Sequence, residues 1–451
     1  MARPAAKDLT EGNPLRLLAA FVTPMLIGNI VQQLYSMADS IIIGRFVGKG
    51  PFAAIGATMP VLSVMIVVII GFTMGIAITT ARQVGAKNEE RVRDILGTTF
   101  LLCLILSVSM ALVGTTCAGP ILRWLHTPED ILPDARTYLV CNFATCVGPI
   151  AYNMFSNILR SYGDSKTSLY ALIISSVLNI FLDLLFVLAF HWDVAGVAIA
   201  TAISQILSAV YCVLCIFRRY PQYSCRRANL RLNGSIVLDI LKFGMPMAVS
   251  NLCASVGGVF VQSLINGYGT TVVAGYTAAN RLDQLALSGM NSLGNAVSTF
   301  AGQNIGAGKP ERVKAGVRAG WIIGLVIALV FGFALFFFGE TLVQMFIASA
   351  ERETIAVTAG FFRTVAPFYL VGCGMYIYLG SLRGMGEIAV PMGGSFAELA
   401  GKVAAVFLLS RISYHAMWAA WPIGWAAALL LLWVYSRFFL WKRQAKAGGA
   451  A

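Results

Sequence analysis

The chain has 451 residues, of which 58% are hydrophobic and 12% charged, with a formal net charge of +13 at pH 7. Soluble domains carry about 25% charge and 45–50% apolar residues, so an ordinary soluble enzyme, a disordered chain and a disulfide-stapled secreted scaffold are excluded. Uncharged apolar runs of helix-spanning length recur along the sequence, and the fold class they imply is all-α and integral to a membrane.

Taken in chain order, twelve spans are expected, near residues 17–46, 52–81, 94–116, 135–160, 166–190, 194–217, 239–266, 270–304, 315–339, 353–382, 388–410 and 414–440. Each can cross about 30 Å of hydrocarbon at about 1.5 Å per residue. The first is too long for the apolar region of a cleavable signal and carries polar residues along its length, so it reads as a transmembrane helix. Short connections make the spans alternate in direction, and an even number puts both termini on one side. With that side cytoplasmic, 24 of the 33 basic residues lie in inner segments and 7 in outer ones. This asymmetry predicts a multi-pass cell-membrane protein with both termini in the cytoplasm. It also accounts for the positive charge without nucleic acid. The nine cysteines are odd in number and lie mostly within spans, where they act as small hydrophobes.

The sequence repeats itself. Phe21-Val22-Thr23-Pro24-Met25 returns as Phe243-Gly244-Met245-Pro246-Met247, at an offset of 222. Val84-Gly85-Ala86-Lys87, followed by Arg91-Val92, returns as Ile305-Gly306-Ala307-Gly308 with Arg312-Val313, at 221. Arg160-Ser161-Tyr162-Gly163-Asp164 returns as Arg383-Gly384-Met385-Gly386-Glu387, at 223. Six spans per copy give both halves the same orientation, so the repeats are parallel. The expected organisation is an N-terminal six-helix lobe (1–216), a basic cytoplasmic linker (217–238) and a C-terminal six-helix lobe (239–451). Pro24 and Pro246 occupy matching places and are either static kinks or hinges.

An ionisable residue inside a span is costly and marks a functional site by default. The spans hold few acids: Asp39, Asp183, Asp283 and Glu398. Counted from the outer ends of their spans, Asp39, Asp183 and Thr201 share one depth, about 10 Å below the surface. Asn179 lies four residues before Asp183 and so on the same face. Two carboxylates, an amide and a hydroxyl form a candidate all-oxygen site for a proton or a sodium ion; no other metal site and no cofactor is expected. Glu398 and Lys402, four apart, read as a mutually neutralising pair, whereas Arg281 and Asp283 do not face each other. A polar stripe of Asn280, Gln284, Ser288, Asn291 and Asn295 either lines a wet cavity or zips helices together. Gln33, Tyr35, Met37, Met65, Asn153 and Asn157, with Asn280, Asp283, Gln284 and Asn291, are the candidate cavity residues. The methionines among them suit adaptable binding or plain packing.

A set of words distributed over residues 11–440 resembles the multidrug and toxic compound extrusion (MATE) transporters. They are Gly12-Asn13-Pro14-Leu15, Pro24-Met25, Gln32-Gln33-Leu34-Tyr35, Asp39 with Gly44-Arg45, Val84-Gly85-Ala86-Lys87 with Glu90-Arg91-Val92, Leu159-Arg160-Ser161-Tyr162-Gly163-Asp164 and Ala279-Asn280-Arg281. The resemblance implies a twelve-helix antiporter that exports amphipathic, often cationic compounds against a proton or sodium gradient, by alternating access. In the DinF-like branch it places the coupling site on Asp39, Asn179, Asp183 and Thr201. With the local offsets Asp39 maps to Val261, Asn179 to Lys402 and Asp183 to Val406, so the second half departs from that pattern. No phosphate-binding loop, H-E-x-x-H, paired C-x-x-C or G-x-S-x-G occurs, so no enzyme is expected. The alternative is a flippase of lipid-linked oligosaccharide precursors on a related two-lobe plan. The expected partners are the bilayer and small amphipathic cations, with a monomer as the working unit.

Overall fold

A computed structural model describes residues 8–42, 49–190, 192–344 and 351–440; inside its helices the side chains of residues 37–41, 49–53, 193, 439 and 440 lie outside the description. The described residues are helical throughout, with short turns and no strand. The first half comprises α1 (Pro14–Ile42), α2 (Lys49–Gly85), α3 (Glu89–Trp124), α4 (Leu132–Ala144), α5 (Val147–Ser161), α6 (Ser165–Leu184) and α7 (Asp193–Arg219). The second comprises α8 (Gly234–Asn266), α9 (Thr270–Gly306), α10 (Pro310–Val343), α11 (Arg352–Val365), α12 (Tyr369–Gly384), α13 (Ala389–Leu409), α14 (Tyr414–Met417) and α15 (Ala420–Tyr435). With α4–α5, α11–α12 and α14–α15 each forming one broken span, these make the twelve transmembrane helices of two six-helix lobes.

Among the described residues, ten stretches are long and apolar enough to cross a membrane by themselves. The remaining two are the α4–α5 pair and α9. Pro149 offers no N–H and its ring obstructs the carbonyl four residues earlier, at Thr145; the break between α4 and α5 falls there. In α9 the amide and charged residues lower the hydropathy of an otherwise continuous 37-residue helix. Elsewhere the outward faces are apolar. On α10, Ile322, Leu325, Val326, Leu329, Val330, Phe333 and Phe337 are all exposed and recur every three or four residues. In water such a stripe would drive association; against lipid tails it is at rest.

The repeat is visible in the backbone. Turns at Gly163 (φ +86°) and Gly386 (φ +82°) follow α5 and α12 at the 223-residue offset, each in the left-handed region that glycine enters without a Cβ clash. The repeated arginine also has one job in both halves. Arg91 donates to Ser235 Oγ at 2.7 Å, holding the first turn of α8. Arg312 donates to the Gly12 carbonyl at 2.9 Å, holding the segment that leads into α1. Around Arg91, Asn229 donates to the half-exposed region's one buried acid, Asp94, at 2.8 Å, and Arg231 approaches the same carboxylate at 3.8 Å. Around Arg312, Gln303 and Asn304 hydrogen-bond the backbone of Leu9.

The chain divides into two compact units, one built on Ile27–Ala248 and the other on Leu9–Leu26 with the chain from Val249 onward. Helices α1 and α8 therefore belong to both, and each changes unit two residues after its proline, Pro24 or Pro246. Beyond α7, the Tyr220 hydroxyl donates to Asp164 at 2.8 Å. Burial, with the Asp164 charge beside it, pushes the Tyr220 phenol above its ordinary range, so it stays a donor. Within the second unit α9 and α12 approach backbone to backbone at Gly294 and Gly380, where a Cβ on Gly380 would lie 2.0 Å from the Gly294 carbonyl oxygen.

Two outcomes follow. Asp94→Ala should lower stability by about 1–3 kcal/mol, because it strands the Asn229 amide in a half-buried place; thermal melting of purified protein in detergent reads this, and an unchanged melting temperature would contradict it. Gly380→Val should force α9 and α12 apart and reduce the yield of monodisperse protein far more than Gly393→Val, where a Cβ meets open space.

Candidate functional site

The expected cation site lies where α6 runs beside α7. Asn179 and Asp183 are both buried, at 1% and 0% exposure. The Asn179 amide donates from Nδ2 to Thr201 Oγ1 at 3.2 Å. Asp183 sits one turn further along the same face, directly before a π-helical turn at Leu185–Ala189. Such a widened turn shifts the register of the side chains that follow it and is frequent at functional sites. Three of the four expected residues are thus brought together in the first unit. Asp39 lies on α1, but its side chain, like that of Met37, is outside the described residues.

The neighbourhood is more polar than the acids alone suggested. Ser168, Ser175 and Ser176 on α6 and Ser204 and Ser208 on α7 are all buried. The Ser208 hydroxyl crosses to the Ala171 carbonyl at 2.8 Å. With the Asn179–Thr201 bond this contact forms a short polar seam between α6 and α7, whereas the Ser168 hydroxyl turns to the Ser156 carbonyl on α5 and that of Ser204 to the Thr201 carbonyl of its own helix. The signal was present in the sequence: positions 168, 175, 179 and 183 on one span, and 201, 204 and 208 on the next, each recur every three, four or seven residues. Chemically the seam offers a carboxylate, an amide and hydroxyls, hard oxygen donors that suit a proton or an alkali cation rather than a soft metal.

The candidate cavity residues divide. Gln33 and Tyr35 are half-buried on α1. Met65 packs into the core with Leu62 and Ile69, and borders an apolar cavity of about 620 Å³ that Val61, Val113 and Trp124 also line. Asn153 and Asn157 each turn their amide back to the carbonyl four residues earlier, at 2.8 and 2.9 Å. On α9 the stripe separates from the acid. Gln284 and Asn291 are exposed and Asn280 half-buried, and Asn295 donates to Asn291 Oδ1 at 2.8 Å. Asp283 is instead turned inward, at 1% exposure, accepting from the Tyr369 hydroxyl at 2.7 Å. Exposed amides cannot face hydrocarbon cheaply.

Tyr369 was not singled out from sequence, since nothing in its spacing indicates a carboxylate on another span. Lys402 also differs from expectation. Among the described residues it makes no salt bridge within 4.0 Å of Glu398; its ammonium lies 4.6 Å from the centroid of the Trp421 ring.

Comparison with known proteins places this architecture. The MatE family model matches residues 24–185 and 246–429, one stretch in each repeat. The chain is 28% identical over 442 residues to the "Probable multidrug resistance protein YoeA" of Bacillus subtilis, covering 95% of this chain and 94% of that protein. It is 25% identical to the "Probable multidrug resistance protein NorM" of Thermotoga maritima, over 92% and 89% of the two chains. A solved structure of a multidrug resistance MATE family transporter of the MOP superfamily, in an outward-facing conformation, superposes with a TM-score of 0.90 at 22% identity, over 97% of this chain and 98% of that one. Two helical repeats, each matched by the family model across most of its length, identify the chain as a member of the MATE family of membrane transporters.

Proposed function

We propose that the protein is a secondary-active exporter that exchanges a proton or a sodium ion for amphipathic, often cationic compounds, with both termini in the cytoplasm. The names of its relatives support multidrug efflux as the activity. The observation that carries the ion-coupled part is Asp183, wholly buried one turn from the Asn179–Thr201 hydrogen bond. A carboxylate kept in such a seam needs a partner of opposite charge or a proton. Asp39 on α1 is assigned as the second carboxylate of that site, Asn179 and Thr201 as neutral oxygen ligands.

In this reading the ion biases the exchange between inward- and outward-open states through its different affinity for each. Asn280, Gln284 and Asn291 on the exposed face of α9 are assigned as substrate contacts of the second unit, and Gln33 and Tyr35 on α1 as substrate contacts of the first. Pro24 and Pro246 act as hinges: the carbonyl one turn before each lacks a helical donor, and the unit boundary falls two residues beyond.

Ethidium efflux from proteoliposomes, under an imposed pH or sodium gradient, tests the site. One gradient should drive efflux. Asp183→Asn should abolish that dependence, and Thr201→Val should weaken the ion's apparent affinity roughly tenfold, the worth of one polar contact of about 1–1.5 kcal/mol. Normal gradient-driven efflux by Asp183→Asn would sink the assignment, and failure to move any cationic dye would favour flipping of lipid-linked precursors. Pro24→Ala and Pro246→Ala should slow efflux while leaving the dye concentration for half-maximal rate unchanged; a rate equal to wild type would make the prolines static kinks.

A further inference from the structure

The internal repeat allows the two units to be compared position by position. At the 223-residue offset, Asn179 corresponds to Lys402, Asp183 to Val406 and Thr201 to Gly424. The correspondence holds in space as well as in sequence. Asn179 touches Thr201 in the first unit through their side chains. In the second, Gly424 abuts Lys402, such that a Cβ there would stand 3.1 Å from the Lys402 Cβ and 2.8 Å from the Glu398 carbonyl oxygen. Val406, like Asp183, is 0% exposed. Lys402 therefore starts from the place that a neutral ligand takes in the other repeat. The loss of the threonine side chain opposite makes room for its stem.

The surroundings of that lysine are those of a cation site. Its ammonium rests 4.6 Å from the Trp421 ring centroid, an arrangement that binds a positive charge through the ring's negative face. Two carboxylates lie within electrostatic reach, Glu398 one turn earlier on α13 and Asp283 on α9. Asp283 has one oxygen taken by the Tyr369 hydroxyl. The other, Oδ2, is buried without a hydrogen-bond partner among the described residues. The remaining groups facing this cluster are Arg383, near Glu398, and the phenols of Tyr369 and Tyr376 on α12, with the phenol of Tyr276 on α9. Two acids and two bases balance to zero, so a further cation drawn from solution would be in excess.

From this we propose that the Lys402 ammonium is a tethered cation, filling in the second unit the place that an exchangeable ion takes in the first. The inference rests on the reading of Asp183, Asn179 and Thr201 as the exchanging site. A covalently held ammonium cannot diffuse away, and its four-carbon stem lets the head stay near Trp421, Glu398 and Asp283 as neighbouring helices shift. A solution ion would have to displace it at an unfavourable effective concentration. The consequence is stoichiometric: two repeats, one exchangeable ion.

The test counts ions bound by the purified full-length protein in detergent, using radioactive sodium at alkaline pH and proton uptake by a pH-indicator dye. Wild type should bind about one ion per chain, and Asp183→Asn about none. Adding Lys402→Asn to Asp183→Asn should restore about one, which Asp283→Asn should remove again. A double variant that binds nothing overturns the proposal, as does an Asp183→Asn single variant whose remaining binding is lost with Asp283→Asn, since the second unit would then already exchange its ion. That second criterion needs no substitution at Lys402 and stands if Lys402→Asn fails to fold. If neither Asp183→Asn nor Asp283→Asn reduces binding, the reading of the first-unit site fails on its own account. The single Lys402→Asn variant then decides the tethered cation, by adding one ion to the wild-type number or by adding none.

Discussion

Hydrocarbon offers no hydrogen bonds, so every polar group that a span carries inward must find its partner within the protein. Most do so locally. Thr23, Ser63, Thr99, Ser107 and Thr145 each return the hydroxyl to the carbonyl four residues earlier, and Asn153 and Asn157 do the same with their amides. Such groups are neutralised by their own helix and ask nothing of their neighbours. Others look across to another helix instead, among them Asn179 to Thr201, Ser208 to the Ala171 carbonyl, Thr358 to the Gly275 carbonyl, Tyr369 to Asp283 and Lys402 to the Trp421 ring. Polar contacts of the second kind tie the rotation of one helix to that of another.

The same constraint explains which features were legible in the sequence. Backbone crossing lipid has to be helical, so runs of apolar residues located the twelve spans, and three repeated words located the duplication. The breaks between α4 and α5, between α11 and α12 and between α14 and α15 were missed because each span reads as continuous; Pro149, Pro367 and Pro422 were the available signals. Within the site, Asn179 and Asp183 could be placed on one face because they share a helix. Cross-helix partners could not. Tyr369 and Trp421 are ordinary aromatics in sequence, and their roles depend on helix rotations that no spacing along one chain specifies. For Glu398 and Lys402 the four-residue spacing indicates the electrostatic pair but not the aromatic ring against which the ammonium rests.

Duplication supplies two copies of a scaffold, and the copies have kept different things. The clamp arginines Arg91 and Arg312 hold the first turn of α8 and the segment entering α1. Left-handed glycines close the turns after α5 and α12. These are positions where backbone geometry dictates the residue. Asp94, by contrast, corresponds to Ala315, and its carboxylate serves Asn229 and Arg231 in the first unit alone. Side chains facing the interior have diverged freely once the frame was secure, so a transporter of this plan can be symmetric in architecture and one-sided in chemistry.

The division of α1 between two units bears on how the chain is made. Leu9 hydrogen-bonds Gln303, 294 residues later, and Leu18, Phe21 and Val22 join a core built otherwise from residues beyond Val261. At about 5–20 residues per second, the first part of α1 emerges from the ribosome roughly 15–60 s before its packing partners exist. During that interval its buried face has only lipid to rest against. Helix α1, which precedes all the other described helices, is thus among the last to be locked. A truncated chain ending after α7 would leave that half-helix with nothing to pack on.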